Sequence, residues 1–256
     1  MDLWTTTRAT RTGPWGTPVN LGTNVNSTAD DGGPTISPDG LELYFCSWRS
    51  GGYGSSDLYV TRRATTSSPW EPATNLGALI NGPGSEAGQS LSPDGLLLVF
   101  GGQQGNPVRP GGYGNSDLWV TRRTGLNAPW SIPLNLGPVI NSASHELAPL
   151  ISPDGSTFFF NSTRPDVSTT GNGDSYQALI LPVTDFNGDG NVDGTEVMAI
   201  VAHLGLDDPV CDIGPTAFGD GVVDLNDLIV LAGYIGTEEI DPTLQAHWAL
   251  DEGVGS

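Results

Sequence analysis

A recurring tetrapeptide sets the frame of this chain. Ser37-Pro-Asp-Gly40 returns as Ser92-Pro-Asp-Gly95 and Ser152-Pro-Asp-Gly155, at steps of 55 (92 − 37) and 60 (152 − 92) residues. Asp2-Leu-Trp4 returns as Asp57-Leu-Tyr59 and Asp117-Leu-Trp119 at the same steps. Trp15, Trp70 and Trp130 keep that register, as do Asn20, Asn75 and Asn135, then Asn26, Asn81 and Asn141, and the acids Asp31, Glu86 and Glu146. A fixed period of this length means one supersecondary unit stacked several times, each copy covering the apolar face of the next. The repeat occupies residues 1–183.

Each copy reads as four short strands. The first leads into Ser-Pro-Asp-Gly, a turn in which Pro presets φ, Asp bonds nearby backbone and Gly takes the left-handed position. An apolar run follows: Leu41–Phe45, Leu96–Phe100 or Thr157–Phe160. A Gly-rich turn such as Gly51-Gly-Tyr-Gly54 then leads into Asp57-Leu-Tyr-Val60, and the Pro-Trp and Asn-Leu-Gly segment closes the unit. Four strands per repeat describe a propeller blade. The expected fold is therefore mainly β, an incomplete β-propeller of about three four-stranded blades, with a small helical domain after it. Three copies and a partial one fall short of the roughly four to eight blades of a closed ring, and an open array exposes strand edges. The sequence is thus read as a piece of a larger ring or the product of a truncated gene. The paired signatures resemble the WD40-like β-propeller repeats of TolB-like and related periplasmic proteins.

Charged residues recur within the blades. Arg49 and Asp57 are eight apart, as are Arg109 and Asp117, and Arg164 precedes Asp174 by ten. Repetition in every copy favours a pair that pins the Gly-rich turn over an anion site. Asp31, Glu86 and Glu146 are expected either on the innermost strand, ringing the central channel, or bonding neighbouring blades. The recurring Trp residues are expected in the blade core.

Beyond Arg164 the composition changes. All nine Arg lie at or before that position with twelve acids, a balance of 9 − 12 = −3, and the remainder holds seventeen acids and no Lys or Arg. A segment so acidic repels nucleic acid and anionic membranes and attracts divalent cations. Within it Asp185, Asn187, Asp189, Asp193 and Glu196 stand at positions 1, 3, 5, 9 and 12 of a loop, with Gly190 at position 6 and Asn191 offering its carbonyl at position 7. That is the spacing a Ca2+ ion asks for, since the ion is hard and takes six to eight oxygens in an irregular shell. Apolar Val192, at position 8, suits loops paired back to back. Val197, Ile200, Val201 and Leu204 then follow helical spacing, with Gly205 as a stop.

Thirty-one residues on (228 − 197 = 31) the pattern returns as Leu228, Leu231, Ala232 and Ile235, stopped by Gly236. Asp220, Val222, Asp224 and Asp227 fall at positions 5, 7, 9 and 12 of a second loop, while Thr216 and Phe218 occupy positions 1 and 3. Asp212, just upstream, is the candidate substitute ligand there. The tandem loop-and-helix pair resembles a type I dockerin over 185–236, within an expected domain at 184–237. The resemblance implies an EF-hand pair holding Ca2+, and a protein partner of the cohesin type or a polysaccharide-degrading assembly. Positions 10 and 11, where the family's recognition residues sit, are Gly194-Thr195 and Leu225-Asn226 here, without the usual hydroxyl pair. Residues 238–256 read as a linker and, from His247-Trp-Ala-Leu, resemble the start of a laminin-G or concanavalin-like jelly roll.

Other chemistry is sparse. There is no His-Glu-x-x-His, no phosphate loop and no Gly-x-Ser-x-Gly. His203 is expected as a helix-surface residue, and Cys46 and Cys211 do not make a disulfide framework. No apolar run spans a membrane and no export signal is recognised, so a secreted, periplasmic or surface location carries the expectation that the signal was lost with the missing end. The function expected is a non-enzymatic extracellular interaction protein, with propeller as platform and calcium module as dock or spacer. The alternative is a polysaccharide-degrading component, a glycoside hydrolase or an assembly subunit.

Overall fold

The computed structural model describes residues 1–103, 109–165, 173–180, 184, 186, 191–206, 208, 211–214 and 222–236. Two strands open the chain, β1 (Trp4–Thr5) and β2 (Val19–Asn20), paired antiparallel. A four-stranded antiparallel sheet follows: β3 (Asp31–Ile36), β4 (Glu42–Ser47), β5 (Asp57–Arg62) and β6 (Thr74–Asn75), in chain order. The next sheet repeats it with β7 (Ser85–Leu91), β8 (Leu97–Gln103), β9 (Ser116–Arg122) and β10 (Leu134–Asn135). After the single turn α1 (Gly137–Ile140), β11 (Glu146–Ile151), β12 (Thr157–Ser162) and β13 (Asp174–Leu179) form a third. Helices α2 (Gly194–His203) and α3 (Leu225–Ala232) complete the described elements.

The apolar runs become the second strands; β4 and β8 are covered on both faces, whereas β12 is covered on one, with Phe159 exposed on the other. Leu43 and Phe45 of β4 pack toward Leu3 and Val25, while Tyr44 and Cys46 point the other way, toward Leu98 and Phe100 of β8. Val99, the alternate residue of β8, packs on Phe158 and Phe160 of β12. A strand between two sheets cannot keep a polar face, and each large apolar side chain so buried contributes about 1.5–3 kcal/mol.

The turns form as their residues dictate. Gly40, Gly95 and Gly155 have φ of 73°, 73° and 72°, and Asp39 Oδ1 accepts from the Ser37 hydroxyl (2.6 Å) and the Leu41 N–H (2.9 Å). The recurring asparagines act as side-chain strands. Asn81, buried, accepts the Leu58 N–H at 2.8 Å and donates to the Leu58 carbonyl at 3.0 Å, and Asn26 and Asn141 do the same for Leu3 and Leu118.

Two expectations are corrected. Trp15 is exposed rather than blade core, while Trp70 and Trp130 are half-buried and pack against the edge of the core. Each lies under an arginine that keeps the repeat spacing: Arg8, Arg63 and Arg123 stand 4.4, 4.2 and 4.6 Å from the ring centroids. The Arg–Asp pairs across the Gly-rich turn do not form in the two complete sheets. Asp57 instead accepts the N–H groups of Tyr53 and Gly54 and the Asn75 amide, and Asp117 does the same with Tyr113, Gly114 and Asn135. A short carboxylate beside a tight turn reaches two backbone donors more readily than a guanidinium on the far side.

Candidate functional site

The helix pair carries the candidate metal ligands. Asp193 caps α2 and accepts the Thr195 N–H at 2.8 Å, while Glu196, three residues on, accepts the Asp193 N–H at 2.8 Å. Asp224 and Asp227 build the same box at α3, with bonds of 2.6 Å from Asn226 N–H to Asp224 and 2.6 Å from Asp224 N–H to Asp227. Thus position 9 of each loop is a helix N-cap and position 12 lies in the first turn, beneath it. A carboxylate there also complements the positive end of the helix.

The two units interlock. Gly205, after α2, donates its N–H to the carbonyl of Val223 at 2.8 Å, and Gly236, after α3, donates to the carbonyl of Val192 at 2.9 Å. Both glycines stand at positive φ, 79° and 82°, which lets the chain turn back for that bond. Between the units lies a core of Val192, Ile200, Cys211, Ile213, Val223 and Leu231. Four of these are repeat mates 31 apart (223 − 192 and 231 − 200). Val201, Leu204 and Ile235, expected on the core face, are exposed, as is Ala232. With only two short helices, one narrow stripe each is enough to close the core.

The loop ligands differ in what they already hold. Glu196 is buried, and its described partners are the Asp193 N–H and the Thr195 hydroxyl. Asp227, also buried, accepts three backbone N–H groups: Ile213 (2.6 Å) and Gly214 (2.8 Å) on Oδ1, and Asp224 on Oδ2. Asp212 is buried on the segment those bonds hold in place. Asn191 and Val222, at position 7 of each loop, have exposed side chains. Hydrogen bonds from Thr195 hold the Asp193 carboxyl below its usual range. Asp185, Asn187, Asp189 and Asp220 lie outside the described residues, as do Thr216, Phe218 and residues 238–256.

The repeated blade acids are placed differently from either expectation. They sit at the start of β3, β7 and β11, buried, each bonded to the arginine of its own sheet: Arg49–Asp31 at 2.7 Å, Arg109–Glu86 at 3.1 Å and Arg164–Glu146 at 3.4 Å. They neither ring a channel as open carboxylates nor bond neighbouring blades through their side chains. Asp31 is further held by Ser27 and Glu146 by Ser142 and Ser162. In the middle sheet the counterparts of Ser27 and Ser47 are Gly82 and Gly102. Glu86 therefore lacks hydroxyl partners, and its Oε2 has no hydrogen bond among the described residues. Burial, only partly opposed by Arg109, pushes its pKa up to about 7. Burial also opposes ionisation of Asp31, but the bonds from Ser27, Ser47 and Arg49 together outweigh it and hold Asp31 below the usual range.

Between sheets, the bond that sequence spacing missed joins Glu42 to Arg123, 2.8 Å apart and both buried. Glu42 recurs as Leu97 and Thr157, so no repeated signature marks it. Elsewhere a cleft of about 550 Å³ between β7 and β11 is lined by residues such as Gly88, Ser116 and His145, with no carboxylate among the described residues of its wall.

Four antiparallel strands in chain order, in two successive sheets whose second strand is buried on both faces, decide the architecture. The strands form β-propeller blades. No protein-family model matches the sequence, and no curated protein matches it. Among solved structures it is similar to a putative TolB from Agrobacterium tumefaciens, at 22% identity over 64% of this chain and 50% of that one, TM-score 0.42. TolB from Acinetobacter baumannii is 17% identical over 64% of this chain and 33% of its own, TM-score 0.41. An α-L-arabinofuranosidase from Lactobacillus brevis is 12% identical over 64% and 55%, TM-score 0.38. The chain thus spans between a third and about half of the length of these proteins. No described helix is long and apolar enough to cross a membrane.

Proposed function

We propose that the chain is a modular extracellular interaction protein, in which rigid propeller blades form the recognition platform and residues 185–236 form a calcium-dependent dockerin-like module for docking or spacing. One observation carries the calcium reading: Glu196 is 1% exposed in a segment that has no Lys or Arg to compensate it. A buried carboxylate without a counter-charge is strongly disfavoured, and a cation at the loop would supply that charge. The donor set fits Ca2+, because Asp185, Asn187, Asp189, Asn191, Asp193 and Glu196 offer oxygens only. The second loop fits less well. Asp227 is engaged by three backbone N–H groups and acts first as a clasp; Asp220, Val222, Asp224 and Asp212 would complete a weaker site.

The enzymatic alternative finds no support in the repeated acids. Asp31, Glu86 and Glu146 are buried behind arginines, where a sugar cannot reach them. A cohesin-type partner remains the docking candidate, with exposed Met198, Val201, Leu225 and Ile229 on the two helices as the apolar surface available to it.

Titration calorimetry tests the calcium reading. The full chain is expected to bind Ca2+ with a Kd of about 10⁻⁴ to 10⁻³ M, the range of extracellular modules. Asp185→Ala or Glu196→Gln should abolish the tighter event, whereas Asp224→Ala should leave it. Equal heats in all four proteins would overturn the reading.

A further inference from the structure

A second constellation lies off the loops, where α2 ends. His203, the last residue of α2, bonds through Nδ1 to the carbonyl of Ala199 at 2.8 Å. A carbonyl only accepts, so Nδ1 carries the proton and Nε2 is left facing outward. There it meets Asp208 Oδ2 at 3.3 Å. The buried Cys211 Sγ stands 3.7 Å from the imidazole Nδ1. The donor atoms of His203, Asp208 and Cys211 all lie within 4.8 Å of one another.

We infer that His203, Asp208 and Cys211 form a site for a divalent transition ion of the zinc class, separate from the calcium loops. A neutral imidazole whose Nε2 lone pair faces a carboxylate at this distance needs a positive centre between them, either a proton or a metal ion. The sulfur favours the metal. A His–Asp ion pair has no use for a third donor, whereas nitrogen, oxygen and sulfur together are the ligand set of zinc-class ions. Ca2+ takes oxygens and would not compete for it. Ligand atoms around a tetrahedral ion with bonds of about 2.0 Å to nitrogen or oxygen and 2.3 Å to sulfur stand roughly 3.3 to 3.5 Å apart. The 3.3 Å between His203 Nε2 and Asp208 Oδ2 meets this, and the Cys211 sulfur, in a cluster whose donor atoms lie within 4.8 Å of one another, would close on the ion by a small adjustment of its side chain. A backbone carbonyl on the far ring nitrogen is also the usual device that orients a metal-binding imidazole. The side chain of His203 is 40% exposed and that of Asp208 25% exposed, which gives the ion an entrance. The bound ion would staple the segment carrying Asp208 and Cys211 to the end of α2.

Cobalt(II) gives the direct readout. The reduced full chain, held in excess Ca2+, is titrated with Co2+ while absorption is recorded. One equivalent is expected to raise a near-ultraviolet thiolate-to-cobalt band and intense visible bands of tetrahedral cobalt, both removed by Zn2+. Cys46→Ser should keep them, since Cys46 is buried in the blades. Cys211→Ser should lose the thiolate band. His203→Gln, on the half-exposed side, should weaken cobalt binding at least about tenfold, as loss of a metal ligand or its support does, with the helical circular dichroism in Ca2+ retained. No thiolate band in the parent chain, a band that survives Cys211→Ser, or one that vanishes only with Cys46→Ser would overturn the site. Calcium heats measured on the same samples report the loops independently.

Discussion

At the residue scale, the three blade acids show how one repeated letter can hold different chemistry. Asp31, Glu86 and Glu146 were legible as equivalent from spacing alone. That Glu86 differs was also written in the sequence, but in two residues that belong to no signature, Gly82 and Gly102. Gly102 is glycine because Trp119, where its counterparts have Tyr59 and Tyr176, stands 3.1 Å from where a Cβ would be. A larger ring thus removes the hydroxyl, and the missing hydroxyl strands the carboxyl. The pH consequence follows from the direction of the shift. The folded pKa, about 7, lies above the ordinary 4.5, so the contribution of neutral Glu86 is fully present below about pH 4.5 and is lost as pH rises through 7. Glu86→Gln should therefore be tolerated, or stabilising, at pH 8 and should flatten the decline of thermal stability between pH 5 and 8. Glu146→Gln breaks a buried pair whose hydroxyl bonds are satisfied and should cost about 3 kcal/mol. Thermal melts of both variants across pH check this; equal losses at pH 8 would refute it.

At the element scale, strands and turns were legible because their causes are local. Ser-Pro-Asp-Gly dictates its turn, and an apolar run dictates a strand, covered on both faces in β4 and β8. The Arg–Asp pairings were misread because eight residues of spacing say nothing about which carboxylate a guanidinium reaches in space. The Glu42–Arg123 bond was invisible for a different reason: it occurs once, between sheets, 81 residues apart. The next sheet shows how the position works without it, for Leu97 stands where Glu42 does. Arg123→Met alone leaves Glu42 with only the exposed Arg62, which stands at the same 2.8 Å, and should cost about 3 kcal/mol, while Glu42→Leu with Arg123→Met should regain most of that. Denaturant midpoints of the single and double variants measure the difference. A double variant no better than Arg123→Met would contradict the compensation.

At the scale of the whole molecule, the chain joins two solutions to the burial problem. The blades bury large apolar strands between sheets. The helix pair has a core of a few side chains, interlocked through Val192 and Val223, and an acidic surround without Lys or Arg. Its two-fold repeat was legible from the 31-residue step, and its helix ends from Gly205 and Gly236; the capping by Asp193 and Asp224 was not read, because both also stand at ligand spacing. The clasp role of Asp227 was not, because the ligand spacing of a loop and the capping box of a helix use the same carboxylate. On the proposed calcium reading, the helix pair owes its order to divalent cations and the blades do not. Amide hydrogen exchange of the full chain, in Ca2+ and in excess chelator, tests this most directly. Chelation is predicted to collapse protection across 194–203 and 225–232 and leave β4, β8 and β12 unchanged; equal protection of both helices in chelator would contradict it.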